Sequence, residues 1–123
     1  MEKAEAARIL VVDDDKLLRR IMAEGLAAEG ASCSEAASGA EALKAAITLK
    51  PDICLLDQNL PDMDGLAVLA AMVSRRELSA MRVYLLTGSE DEELASRAKS
   101  LGARGVLKKP CTPSDVMRVI REH

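Results

Sequence analysis

The sequence predicts an α/β protein with helices on both faces of a five-stranded parallel sheet, and two observations lead to this prediction. Short runs at residues 9–12, 53–56 and 83–86 are rich in Val, Ile and Leu without polar alternation, which is typical of strands buried on both faces. Longer segments with helical spacing of apolar residues separate these runs, so that strand and helix alternate five times. This alternation favours a three-layer, doubly wound (βα)5 architecture.

Two further strands are weaker in the sequence, because one is small and polar and the other is short. They are predicted at residues 32–36 and 105–107. The helices are predicted at residues 16–29, 38–49, 65–76, 90–101 and 113–123. Four helix starts carry capping residues, namely Ser38 with Glu41, Asp64, Ser89 with Glu92, and Thr112 before Pro113.

Length and composition indicate one ordinary globular domain. The chain has 123 residues, of which 49% are apolar and 30% charged, so we expect a single domain over residues 1–123 with residues 1–7 as a flexible extension. Its core must be built almost entirely from aliphatic side chains, because the chain has no Trp or Phe and only one Tyr, Tyr84. The last helix has no stop signal, so the sequence leaves open whether an effector domain follows His123.

Charge and cysteine content exclude several classes of function. A net charge of -3 argues against direct nucleic-acid binding, which needs a basic surface. The opening residues are polar and too few for a signal peptide, and no segment approaches the roughly 18 apolar residues of a membrane span. Three cysteines without metal-site spacing, Cys33, Cys54 and Cys111, indicate reduced thiols in a cytoplasmic protein.

Polar side chains follow four of the five predicted strands at the point where each strand ends. Asp13 and Asp14 follow the first strand, Asp57 the third, Thr87 the fourth and Lys109 the fifth. Each residue alone is most simply a turn or capping residue. Because the carboxyl ends of parallel strands meet at one edge, where such folds bind ligands, we expect the five side chains to converge there.

The predicted cluster suits phosphoryl transfer. Two carboxylates about 4 Å apart repel by roughly 4 kcal/mol at an effective dielectric constant near 20, so three of them call for a cation. Oxygen ligands suit Mg²⁺, Mn²⁺ or Ca²⁺ rather than Zn²⁺. A carboxylate can attack phosphorus and form an aspartyl-phosphate, while a cation, a lysine and a hydroxyl neutralise and orient the phosphoryl oxygens.

Four segments resemble the receiver domain of two-component response regulators, in particular the single-domain chemotaxis type. They are ILVVDDD at 9–15, DICLLDQNLPDMDG at 52–65, VYLLTG at 83–88 and GARGVLKKP at 102–110. With the intervening helices the resemblance covers nearly the whole chain. It implies a flavodoxin-like fold with strand order 2-1-3-4-5.

The resemblance also implies a role for each residue of the cluster. Asp57 matches the phosphoacceptor, Thr87 the switch hydroxyl and Lys109 the lysine that pairs with phosphoryl oxygens. The Lys109–Pro110 peptide bond is implied to be cis. The implied Mg²⁺ ligands, with Mn²⁺ as an alternative metal, are Asp14 directly, Asp13 through water, Asp57, and the backbone carbonyl of Asn59.

The family also implies partners. The phosphoryl donor would be a phosphohistidine on a sensor histidine kinase or a histidine phosphotransfer protein. The output would be a downstream protein or an effector domain. The last two helices and the last strand form the face on which receivers dimerise or bind partners.

The receiver is a phosphoacceptor rather than an enzyme, because Asp57 is consumed in each cycle. Neither direct nucleic-acid binding nor a membrane is implied.

One departure from the family pattern concerns how the signal reaches the surface. The strand before Lys109 usually carries a Tyr or Phe that turns inward with the Thr, and Val106 occupies that position here. Tyr84 is no substitute, because it lies three residues before Thr87 and therefore points to the other face of the sheet. Cys111 stands where the family often has Phe. We therefore expect the output to depend on the 87–90 loop and the helix after it.

Three other functions compete with phosphorylation-driven signalling. A receiver-like scaffold that works without phosphorylation is the main alternative. The complete set of site residues argues against it, whereas Val106 leaves it open. A phosphatase acting through an aspartyl-phosphate would need a second Asp two residues after Asp57, where Asn59 stands. A flavodoxin-like electron carrier would need aromatic residues around a flavin and a Ser/Thr-rich phosphate loop after the first strand, and the sequence has neither.

Overall fold

The computed structural model describes residues 6–122, and five strands and five α-helices alternate along them as predicted. The strands are β1 (Arg8–Val12), β2 (Ser32–Ala36), β3 (Ile53–Asp57), β4 (Arg82–Thr87) and β5 (Gly105–Lys108). The helices are α1 (Lys16–Ala28), α2 (Gly39–Leu49), α3 (Gly65–Val73), α4 (Glu92–Leu101) and α5 (Pro113–Glu122). A 3₁₀ turn at Arg76–Leu78 lies between α3 and β4.

All neighbouring strands are parallel, and their order is β2-β1-β3-β4-β5. This confirms the order implied by the family resemblance. The N-terminal extension expected at residues 1–7 lies largely outside the described residues. Within them, the carbonyl of Ala7 accepts a hydrogen bond from the backbone N–H of Ser32 at 2.8 Å, which continues the pairing of β1 with β2.

Two aliphatic cores lie on opposite faces of the sheet, because successive strand residues point to opposite sides. One core joins the sheet to α2, α3 and α4, and the other joins it to α1 and α5. Leu85 belongs to the first core and its neighbour Tyr84 to the second, where Tyr84 is fully buried. The prediction that Tyr84 points away from the Thr87 side of β4 is therefore confirmed.

Helix caps agree with the sequence at three of four predicted starts. Ser38 accepts from the N–H of Glu41, Asp64 from that of Leu66, and the hydroxyl of Thr112 from the N–H of Asp115.

The predicted cap at Ser89 is wrong. The side chain of Asp91 caps α4 by accepting from the N–H of Glu93 at 2.9 Å, while Ser89 Oγ accepts from the N–H of Asp91 at 3.0 Å. Both residue types favour N-caps, and the helix starts at the later one because Ser89 is used in the loop before it.

The described residues include no helix that is both long and apolar enough to cross a membrane. The three cysteines are free thiols, and burial raises the pKa of Cys54 to about 12.

Candidate functional site

The functional residues predicted from the sequence lie at the carboxyl ends of four strands. Asp57 is the last residue of β3 and Thr87 the last of β4. Asp13 follows the end of β1 directly, and Lys109 follows the end of β5. The strand order places β3 next to both β1 and β4, so Asp57 lies in the middle of this edge.

Three carboxylates come together at this edge. Asp13, Asp14 and Asp57 each offer an oxygen, and these oxygens all lie within 4.8 Å of one another. Asp57 is 5% exposed, Asp13 is half-buried and Asp14 faces solvent. The cluster therefore runs from the solvent to the buried end of β3.

Lys109 supplies the positive charge next to the buried carboxylate. Its Nζ lies 3.0 Å from Asp57 Oδ1. The backbone N–H of Lys109 donates to the carbonyl of Thr87 at 2.8 Å, and the Lys109–Pro110 peptide bond is cis, as the resemblance implied. The ammonium group thus balances part of the negative charge and would face any anion joined to Asp57.

Asp13 occupies an unfavourable place for a charge. Burial raises the pKa of its carboxyl group, the hydrogen bond from the backbone N–H of Asp15 opposes this rise, and the nearby charge of Asp57 adds to it. The bond from Asp15 is 2.9 Å long, and Arg19 donates to the carbonyl of Asp13 at 2.9 Å. These hydrogen bonds hold Asp13 in place although its carboxylate lies close to that of Asp57.

We expect Asp13→Asn to stabilise the metal-free protein by about 1 kcal/mol, because it removes a charge that is half-buried and is repelled by the Asp57 carboxylate. The amide oxygen of Asn can still accept the bond from Asp15. The pKa of Asp13 is raised in the folded state, so the carboxyl group there holds its proton to higher pH than in the unfolded chain. The gain should therefore be present at neutral pH and shrink as the pH falls and Asp13 becomes protonated. Urea unfolding without metal at two pH values measures it.

Asp15→Asn is the matched control. Asp15 caps α1 by accepting from the N–H groups of Leu17 and Leu18, and Asn caps equally well. Asp15→Asn removes one charge two residues from Asp13 and leaves the three carboxylates of the cluster unchanged. An equal gain in stability from Asp15→Asn would mean that net charge, not repulsion within the cluster, is responsible.

Thr87 ends β4 at the expected edge, but its hydroxyl is not directed to the carboxylates. The hydroxyl donates a short hydrogen bond to Oε1 of Gln58, and it accepts one from the backbone N–H of Ser89 at 3.0 Å. Gln58 is not among the site residues that the sequence predicts. In the parallel register Asp57 pairs with Leu86, so the next residues along the two strands, Gln58 and Thr87, are neighbours.

The loop after Asp57 is fixed at both ends. The backbone N–H of Asn59 donates to Asp57 Oδ1 at 3.2 Å, which brings the main chain of Asn59 close to the cluster. Asp62 accepts from the N–H groups of Gly39 and Ala40 at 2.7 and 3.0 Å, so this carboxylate serves the start of α2. Asp62 thus acts as a capping group for α2.

Two cavities flank the edge on opposite sides of the sheet. Asp57 and Lys109 line the larger one, of about 480 Å³, together with apolar residues of α1 and the segment after Lys109. Thr87 and Val106 line the smaller one, of about 240 Å³, beside α4. Asp57 and Thr87 therefore line different cavities in this structure.

This arrangement can hold a divalent cation next to a nucleophilic carboxylate. Three carboxylates at short mutual distance form an all-oxygen donor set, which fits Mg²⁺ with water completing its coordination. Lys109 adds a fixed positive charge on the other side of Asp57. Together these groups could stabilise a phosphoryl group in transfer without any further catalytic side chain.

Comparison with known proteins agrees with this chemistry. The model of the response regulator receiver domain matches residues 9–121. The transcriptional regulatory protein PdtaR of Mycobacterium tuberculosis is 32% identical over 120 residues, which are 97% of this chain and 57% of that protein. The DNA-binding transcriptional regulator NtrC of Escherichia coli is 36% identical over 102 residues, 83% of this chain but only 21% of NtrC.

Solved structures show the same fold over almost the entire chain. The chemotaxis response regulator CheY4 of Vibrio cholerae superposes with a TM-score of 0.88 at 28% identity, covering 95% of this chain and 98% of that one. A CheY-like receiver domain from Methanospirillum hungatei gives 0.88 at 30% identity, with 96% and 93% covered. This chain therefore belongs to the response regulator receiver domain family, the phosphorylation-driven switches of two-component signalling.

Proposed function

We propose that Asp57 of this chain accepts a phosphoryl group from a phosphohistidine donor in a Mg²⁺-dependent reaction. The observation that carries the proposal is the setting of Asp57, which is buried at a strand end, 3.0 Å from Lys109 Nζ and within 4.8 Å of two other carboxylates. A carboxylate oxygen of Asp57 forms the new P–O bond while the P–N bond to the donor imidazole breaks and the imidazole leaves.

The residues of the cluster would divide the remaining work. Asp14, Asp57 and the backbone carbonyl of Asn59 would bind Mg²⁺ or Mn²⁺ directly, and Asp13 would bind it through water. The cation supplies charge neutralisation at the phosphoryl oxygens. Lys109 would bind one of these oxygens, and Thr87 would donate to another after its side chain turns from Gln58.

A protein donor would approach from the side of α1. Leu17, Leu18 and Ile21 of α1 are exposed, at 68%, 52% and 51%, and the last two line the larger cavity together with Asp57. Exposed apolar groups at one place are typical of a surface that binds a protein. Receiver domains interact with histidine kinases and downstream effectors, and we infer that the donor here is a sensor kinase or phosphotransfer protein in the cytoplasm.

The output would leave at the β5 edge of the sheet, through α4, β5 and α5. Thr87 lines the smaller cavity together with residues of α4 and β5, so a turn of its side chain would change this surface. A downstream protein, an effector domain or a second copy of the chain could bind there. Receivers are phosphoacceptor switches rather than classical enzymes, and turnover of external substrates is not part of the proposal.

Beryllofluoride, a mimic of the phosphoryl group, tests the proposal by calorimetry. Tight binding that requires both Mg²⁺ and Asp57, and is absent in Asp57→Asn, is the expected result. Amide NMR of the complex should show shifts at residues 87–90 and in α4. Binding without such shifts would disprove the output route. Absence of binding would instead favour a scaffold that works without phosphorylation, an alternative that rests on Val106 in place of the usual ring.

A further inference from the structure

The hydroxyl of Thr87 is already engaged in this structure. Thr87 is 3% exposed, and its Oγ1 donates to Gln58 Oε1 while accepting from the backbone N–H of Ser89. A hydroxyl group carries one hydrogen and can donate only one full bond. While it donates to Gln58, Thr87 cannot donate to an anion on Asp57.

The position of Gln58 is set by its main chain. Its backbone N–H donates to the carbonyl of Leu86 at 3.0 Å, and its carbonyl accepts from the N–H of Gly65 at 2.6 Å. Asp57 pairs with Leu86 in the parallel ladder, so Gln58 comes next to Thr87 on the adjacent strand. With both backbone groups fixed and the side chain half-buried, the amide is held beside the hydroxyl.

The bond also keeps the Thr87 hydroxyl turned away from the acceptor carboxylate. Asp57 lines the cavity beside α1, whereas Thr87 lines the one beside α4. The proposed function requires the hydroxyl to reach a phosphoryl oxygen on Asp57, so the bond to Gln58 must break in every switching event.

We propose that Gln58 is a positioning residue that retains Thr87 in the unphosphorylated arrangement by competing with the phosphoryl group for its hydroxyl hydrogen. The inference rests on the proposed function, in which Thr87 serves the phosphoryl group. Only molecules whose Thr87 hydroxyl is released from Gln58 would bind the phosphoryl group fully. The apparent affinity is therefore the intrinsic affinity multiplied by the fraction of such molecules. Val106 has no ring to follow Thr87, which leaves the contact with Gln58 as a control point beside the smaller cavity.

Gln58→Met tests the inference, because Met has a similar length and lacks the amide acceptor. One ordinary hydrogen bond is lost from the unbound state only, so beryllofluoride with Mg²⁺ should bind about three- to tenfold tighter than to wild type. The amide resonance of Ser89 in the unbound protein should move toward its position in the wild-type complex. Gln58→Ala, which also lacks the acceptor, serves as a second variant if the Met variant unfolds.

Thr87→Val supplies the control, since it removes the hydroxyl for which the two acceptors compete. In that background, Gln58→Met should change beryllofluoride affinity by less than twofold. If the wild type binds beryllofluoride and neither Gln58 variant binds it more tightly, the inference is overturned and the proposed function stays intact. An equal gain in the Thr87→Val background would also overturn it. No Mg²⁺-dependent binding to wild type would overturn the proposed function and the inference together.

Discussion

Lys109→Met is expected to slow phosphorylation of Asp57 by acetyl phosphate about a hundredfold at saturating Mg²⁺. Its Nζ lies 3.0 Å from Asp57 Oδ1, where it would neutralise charge on the phosphoryl oxygens during transfer. Phosphoryl transfer depends chiefly on such positioning and charge. Intact mass spectrometry over time measures the rate, and circular dichroism shows whether the fold is retained.

Lys108→Met is the matched control, because it removes the same charge from the adjacent position. The Nζ of Lys108 lies 2.8 Å from the exposed carboxylate of Glu90, on the side of α4. We expect its phosphorylation rate to stay within about twofold of wild type, since exposed ion pairs contribute little energy. Equal losses in the two variants would show that net charge near the site, rather than the contact with Asp57, determines the rate.

Gly65→Ala is expected to destabilise the protein by about 3 kcal/mol. A Cβ at this position would lie 2.6 Å from the Cα of Gln58, 2.7 Å from the carbonyl oxygen of Asp57 and 2.9 Å from that of Gln58. These are backbone atoms, so no side chain can move aside. The start of α3 or the end of β3 must shift instead, and urea unfolding measures the cost.

Gly88→Ala is the control for this substitution. No atom outside its own neighbours lies within 4 Å of a Cβ at Gly88, so a methyl group fits there. We expect a change of less than about 1 kcal/mol, with loss of unfolded-state entropy favouring the variant. A small effect of Gly65→Ala would mean that the end of β3 adapts easily, contrary to a rigid placement of Asp57 and Gln58.

The sequence was most informative where burial is most complete. The runs at residues 9–12, 53–56 and 83–86 were recognised because strands covered on both faces are apolar at every position. The carboxyl ends of these three strands are predictable because the polar residues Asp13, Asp57 and Thr87 follow the apolar runs directly. The strand order could not be derived from these patterns and came from the resemblance to receiver domains.

Helix boundaries were less predictable from local patterns. The predicted helix at residues 65–76 ends at Val73, and Ser74 Oγ donates to the carbonyl of Ala71 before the 3₁₀ turn begins. Ser89 and Asp91 are both suitable N-cap residues for α4, and Asp91 is the one that caps the helix. Such choices depend on a few hydrogen bonds of similar energy, which sequence spacing does not distinguish.

The candidate site was predictable in its membership but not in its internal contacts. Strand ends and sheet topology bring Asp13, Asp14, Asp57 and Lys109 together. Which way the Thr87 hydroxyl points depends on a side-chain rotation and on the register with Gln58, and neither follows from residue spacing. The topology thus determines the acidic cluster, whereas the orientation of the Thr87 side chain depends on its neighbours.

The most direct test of phosphorylation on Asp57 is the intact mass of the protein after incubation with acetyl phosphate and Mg²⁺. We predict one added phosphoryl group in the wild type, and none in Asp57→Asn or when EDTA replaces the metal. An adduct that persists in Asp57→Asn would contradict the assignment of the acceptor. No adduct on a wild-type protein that binds Mg²⁺ but not beryllofluoride would contradict phosphorylation itself.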